Sequence, residues 1–166
     1  MGLSKFLFLD KQKLNEYLPD LFEILYSNMT FIAPTGNSYN EDFALWKPCI
    51  VSEMQKDERQ IVLLYVDGLL AGYFRYYIDT DTATFIMEDI QINEAFRESG
   101  LFSAFYRWLI KQLPESLIYV EANANKENLK SQGILKHLGL KVIGENKNGK
   151  SFCFRGQYLD LVRKYG

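Results

Sequence analysis

Apolar positions along this chain repeat with a period of either two or three to four residues, and the switches between the two mark out its elements. KFLFL, residues 5–9, has the apolar density of a short strand. Leu14, Leu18, Leu21, Phe22 and Leu25 follow at helical spacing, with Asp10 placed to cap them and Pro19 predicting a kink or two short helices. The text between Thr30 and Trp46, FIAPTGNSYNEDFALW, is aromatic and turn-rich and reads as irregular, with a helix predicted from Asp42 to Lys56. Residues 60–78, QIVLLYVDGLLAGYFRYYI, read as two strands about Asp67-Gly68, a dipeptide suited to the positive φ angles of a tight hairpin. In TATFIMEDIQI, residues 82–92, both alternating sets carry large apolar groups, so this third strand is predicted to be interior.

A break at NEAFRESG follows, and then Leu101, Phe105, Trp108, Leu109 and Leu113 form the stripe of a helix ending near Pro114. SLIYVEA reads as a strand, and Glu127 to Leu138 as a helix closed by Gly139 in the left-handed conformation. KVIGE and KSFCFRGQYL are two last strands on either side of Asn148-Gly149. That turn lies within GENKNGKS, residues 144–151, which matches the phosphate-binding pattern G-x-x-x-x-G-K-[ST] letter for letter. A phosphate loop must lead into a helix, whose free N–H groups hold the anion. Here Phe152 and Phe154 continue with strand alternation, so the string is predicted to be a hairpin tip.

Composition narrows the function. A chain of 166 residues, 48% hydrophobic and 24% charged, suits one globular domain spanning residues 1–166. Its 19 basic and 21 acidic residues are well mixed and give a net charge of -2, which argues against nucleic acid as a partner. Cys49 and Cys153 stand far apart in apolar text and read as buried thiols of a reducing compartment. With one histidine, His137, no metal site is expected; its place near a helix end suits a cation at the C-terminal dipole. No export signal and no apolar run of membrane-spanning length is visible, which points to the cytoplasm with no membrane partner.

The break before Gly100 carries the most chemistry. A strand that enters a helix through Arg97-Glu98-Ser99-Gly100 offers unpaired N–H groups to an anion such as a pyrophosphate. The plain alternative is a capping turn with Ser99 as N-cap and nothing bound. Three stretches give the context: Glu88-Asp89-Ile90-Gln91-Ile92, Arg97-x-x-Gly100-x-Phe102, and Asn128 and Ser131 ahead of Gly139-Leu140. In this order, and with this succession of elements over nearly the whole chain, the sequence resembles the GNAT superfamily of acyl-CoA-dependent N-acyltransferases. The family pattern in the second stretch is [QR]-x-x-G-x-[GA], so Phe102 departs from it at the last anchor.

The resemblance implies an α/β (α+β) fold: a mixed, mostly antiparallel sheet of about seven strands, flanked by about four helices and splayed between the fourth and fifth strands. It implies acetyl-CoA or another acyl-CoA as co-substrate and a small-molecule or peptide amine as acceptor, the chain acting as a monomer or homodimer. The pantetheine arm would lie along Ile90, Gln91 and Ile92, the pyrophosphate on the N–H groups of Arg97, Glu98, Ser99, Gly100, Leu101 and Phe102, and Asn128 and Ser131 would hold the arm or its phosphate end. Direct attack by the amine in a ternary complex needs a base, since an alkylamine of pKa about 10.4 is mostly protonated at neutral pH. Glu88 is the first candidate and Asp89 the second. Many members use a tyrosine as acid where this chain has Leu135, with Tyr106 or Tyr119 as substitutes. Tyr39, Trp46 and Tyr73 are the candidate acceptor contacts, Tyr73 with Phe74, Tyr76 and Tyr77 also reading as sheet packing. A noncatalytic acyl-CoA sensor, or an interaction module that has kept the fold, is the alternative.

Overall fold

The structure, a computed structural model, describes residues 2–32, 34–97 and 100–166. Its strands are β1 (Ser4–Phe8), β2 (Arg59–Val66), β3 (Leu69–Asp79), β4 (Thr84–Ile92), β5 (Tyr119–Asn125), β6 (Lys141–Glu145) and β7 (Ser151–Gln157). They form one sheet in the order β1-β2-β3-β4-β5-β7-β6, with β4 interior as its sequence predicts. β4 and β5 run parallel, while β1 with β2, β5 with β7 and β6 with β7 are antiparallel. The helices are α1 (Leu14–Ile32), α2 (Tyr39–Met54), α3 (Leu101–Ile110), α4 (Leu129–His137) and α5 (Tyr158–Tyr165). The mixed α/β architecture is the expected one, with five α-helices among the described residues where about four were expected.

Local chemistry accounts for the ends. Asp67 and Gly68 both take positive φ (51° and 79°), the condition for the two-residue turn between β2 and β3. Gly139 (φ 92°) ends α4, and Gly149 (φ 71°) lies in the turn between β6 and β7. GENKNGKS is thus a hairpin, closed by Asn146 N–H to the Ser151 carbonyl at 3.0 Å. Past the turn, β6 slips against β7 between Val142 and Gly144, so that Ile143 forms a bulge.

Several boundaries differ from the sequence reading. Pro19 does not divide α1. Pro19 and Asn15, whose carbonyl would have bonded the missing N–H, are both exposed, so that carbonyl is open to water and its lost partner costs little. Pro48 in α2 stands in the same relation to exposed Ala44. The segment expected to be irregular up to Trp46 is helical from Tyr39, because Ser38 and Glu41 form a capping box. The last strand stops at Gln157, and Tyr158 and Leu161 bury one face of α5. β5 starts at Tyr119, three residues later than SLIYVEA suggests. Cys49 is exposed and Cys153 half-buried, and both are free thiols, which corrects the expectation of two buried ones.

The chain divides into two compact units, residues 1–75 with 89–101, and residues 76–88 with 102–166. In the first, Leu14, Leu18 and Leu21 of α1 meet Ile50 and Met54 of α2 and Ile61, Leu63 and Tyr73 of the sheet. Removal of such side chains from water is the dominant favourable term in folding. In the second, Phe85, Phe105, Leu109, Val120 and Phe154 are fully enclosed. Gly72 of β3 has a role no other residue can fill: a Cβ there would lie 2.4 Å from the Gln91 carbonyl oxygen. Substituting Gly72→Ala therefore forces β3 and β4 apart. The expected cost is about 1–3 kcal/mol, read as a lower urea midpoint, whereas Gly133→Ala, with nothing within 4 Å of the new methyl, should not lower it.

Candidate active site

The β4–β5 ladder joins Thr84–Met87 to Tyr119–Ala122, after which β4 runs on to Ile92 and β5 to Asn125. A strand that outruns its ladder needs other partners for its buried polar groups. In the first unit these come from side chains. Asn28, on α1 and 7% exposed, donates from Nδ2 to the Ile92 carbonyl at 3.2 Å and to Gln91 Oε1 at 2.9 Å. Arg97 also turns inward: Nε donates to the Ile92 carbonyl at 3.2 Å and Nη2 to Asn28 Oδ1. On the other side of Gln91, its Nε2 donates to Asp89 Oδ1 at 2.7 Å, and the buried Tyr73 hydroxyl donates to Asp89 Oδ2 at 3.0 Å.

These contacts assign three of the expected site residues. Asp89 accepts from two donors and is the anionic end of a hydrogen-bonded chain, the paired state that a carboxylate inside a sheet requires. Tyr73 is an internal partner of Asp89; burial first, and then the Asp89 charge, push its phenol well above the ordinary value. Gln91 is a relay between Asp89 and Asn28. Asn28 itself was invisible in the sequence, being separated from Gln91 by 63 residues and from Arg97 by 69.

Beyond β4 the chain turns through a short 3-10 helix, Glu94–Phe96, capped by Asn93, and re-enters helix at Leu101. Glu98 and Ser99 lie outside the described residues. Gly100 is exposed with φ 79°, a conformation that favours glycine and sets the entry to α3, and Leu101 is buried. Ile90 is half-buried on β4.

In the second unit, Glu88 is half-buried with Oε1 enclosed. Phe102 stacks on Tyr106, with ring centroids 6.1 Å apart and planes 14° from parallel. Tyr106 is itself buried, its hydroxyl 3.6 Å from the Met87 sulfur, and burial raises its pKa strongly. Tyr119 carries the Arg155 guanidinium 4.6 Å from its ring centroid. Asn128 caps α4 by accepting from Ser131 N–H at 3.1 Å. Tyr39 and Trp46 lie in the first unit on α2, both about 5.1 Å from the Phe22 ring. Among the described residues no cluster of histidine, cysteine and carboxylate side chains could hold a metal ion, and no helix is long and apolar enough to cross a membrane.

No family model and no curated protein matches the chain. Solved structures do. An acetyltransferase from Thermus thermophilus superposes with a TM-score of 0.71 at 12% identity, covering 95% of this chain and 99% of that one. A protein of Desulfovibrio desulfuricans ascribed to the GNAT acetyltransferases gives 0.68 at 14% identity, covering 93% and 99%. An aminoglycoside acetyltransferase in complex with coenzyme A gives 0.68 at 13% identity, covering 99% and 100%. The chain has the GNAT fold. At these identities the likeness concerns architecture, and within that GNAT architecture the network from Tyr73 to Arg97 occupies the outer half of β4 and the turn towards α3.

The network makes a prediction about alkaline stability. Tyr73 and Tyr76 both have raised pKa values, Tyr76 pushed by burial up to about 12. In the unfolded chain a phenol ionises near pH 10, so folding favours the protonated form and its contribution is complete below about pH 10. It is lost as pH rises from there through the folded value. Urea midpoints should therefore fall as pH is raised from about 10 to about 12, and fall less in Tyr76→Phe; Tyr73→Phe should in addition cost about 1–3 kcal/mol at neutral pH by leaving Asp89 short of a donor.

Proposed function

We propose that this protein transfers an acetyl or other acyl group from acyl-CoA to an amine, by direct attack of the amine while both substrates are bound. The observation that carries the reading is the end of the β4–β5 ladder at Met87 and Ala122, with β4 continuing to Ile92 and leading to the turn at Arg97 and Gly100. Ile90, Gln91 and Ile92 then offer strand backbone to the amide-bearing arm of the cofactor, and the main-chain N–H groups at Gly100, Leu101 and Phe102 offer charge complementarity to its diphosphate. The residues fit such a ligand: Gly100 is exposed in a conformation that favours glycine, and the Phe102 ring is stacked on Tyr106. The bound thioester supplies an activated acyl carbon. Glu88 takes the proton of the acceptor ammonium, directly or through water, and the N–H of Ile90 or Ile92 stabilises negative charge on the carbonyl oxygen.

Asp89 is left to structure, since protonating it would turn an acceptor towards two groups that already donate. No acid is required: a thiol of pKa about 8.5 leaves as its anion, which accommodates Leu135 at the usual tyrosine position. Of the two tyrosines proposed as substitutes, Tyr119 is half-buried and Tyr106 enclosed, which favours Tyr119 as the more accessible. The acceptor is a small molecule or a peptide amine, with Tyr39 and Trp46 as contacts from α2.

Acetyl-CoA at a hundredfold its dissociation constant should stabilise the fold by about 2.7 kcal/mol, seen as a rise in melting temperature. Thiol release with a panel of primary amines should follow, and Glu88→Gln should lower turnover by about a hundredfold or more at neutral pH with the KM for acetyl-CoA unchanged. Stabilisation without thiol release from any amine would favour the second reading, an acyl-CoA-binding protein without transfer, for which buried Leu135 argues. The absence of any stabilisation would remove both.

A further inference from the structure

The direction of every hydrogen bond in the Tyr73–Arg97 network follows from its two ends. A guanidinium only donates, so Asn28 presents Oδ1 to Arg97 and must use Nδ2 towards Gln91 and the Ile92 carbonyl. Gln91 then accepts through Oε1 and donates through Nε2, and Asp89 accepts from it and from Tyr73. The arrangement permits no alternative set of donors and acceptors while Asp89 is ionised. It also occupies Arg97: Nε and Nη2 are both directed to the chain's own interior, towards the carbonyl that ends β4 and towards α1.

We infer that Asn28 is a positioning residue for the diphosphate end of acyl-CoA. It acts through Arg97 and the Ile92 carbonyl, which fix where the backbone leaves β4 and hence where the N–H groups at Gly100 and Leu101 are aimed. Arg97 serves this turn as a brace, and the cofactor's charge is received by main-chain donors. The inference deepens the acyltransferase reading above and rests on it for the identity of the ligand. The consequence is a division of labour along one ligand: loss of Asn28 weakens the hold on the diphosphate and leaves the pantetheine portion, bound along β4, as it was.

Binding of coenzyme A and of acetyl-pantetheine, which lacks the diphosphate and nucleotide, tests this by calorimetry on the intact chain. Asn28→Ala should raise the dissociation constant for coenzyme A about tenfold, the effect of losing one buried hydrogen-bonded brace, and leave that for acetyl-pantetheine within about twofold. In turnover the KM for acetyl-CoA should rise by a similar factor and kcat change less than about threefold. Asn28→Asp keeps an acceptor for Arg97 but turns its second oxygen on the Ile92 carbonyl and Gln91 Oε1, so it should weaken coenzyme A binding as well. Unchanged coenzyme A affinity in either variant, or equal loss of both ligands in Asn28→Ala, would overturn the assignment. Hydrogen exchange separates it from the functional reading. If the wild type binds neither ligand the acyltransferase reading fails, while faster amide exchange at Gly100 and Leu101 in Asn28→Ala still upholds the brace and unchanged exchange there sinks it.

Discussion

A parallel ladder that stops part-way along a strand leaves backbone groups that the rest of the structure must satisfy, and much of the candidate site follows from that constraint. β4 is paired with β5 only through Met87, and by Ile92 its carbonyl is held by two side chains, the Asn28 carboxamide and the Arg97 guanidinium. Both are drawn from outside the strand. The first ties the strand end to α1, and the second ties it to the residue from which the turn to α3 departs. A section of chain that could have frayed is thus given a defined course by groups of unlike charge and fixed donor sense.

The two carboxylates on β4 show how neighbouring residues in a strand meet different surroundings. Asp89 accepts from Tyr73 and Gln91 and belongs to an internal chain of donors in the first unit. Glu88 belongs to the second unit, half-buried and with one oxygen enclosed. Successive side chains of a strand point to opposite faces, and that alternation alone can divide a structural acid from one used in proton transfer. The proposed chemistry gives the base to Glu88 because both oxygens of Asp89 already accept from a donor.

What the sequence disclosed was local. Asp67-Gly68, Asn148-Gly149 and Gly139 announce their turns because positive φ leaves few choices of residue, and the double-faced apolarity of β4 announces an interior strand. The capping box Ser38-x-x-Glu41 was equally readable, yet the aromatic density around it suggested irregular chain. α5 was hidden because its Tyr158-x-x-Leu161 spacing directly follows a strand with no intervening turn signal. Pro19 misled for a definite reason: a proline on the solvent face forfeits a hydrogen bond at a carbonyl that is open to water, and sequence alone does not reveal the face. Asn28 could not have been found, since an asparagine inside a helix has no signature until the fold delivers Gln91, Ile92 and Arg97 to it.

The sheet has two margins, and the one at β6 has every residue exposed, Val142 and Ile143 included. An open margin of this kind offers a template to any passing extended segment. The bulge at Ile143 interrupts the regular spacing of its donors and acceptors, and Lys141 sets a charge at the start of the strand. A foreign strand laid alongside would find its second half out of step with its first, so the margin is protected from growth by irregularity instead of by cover.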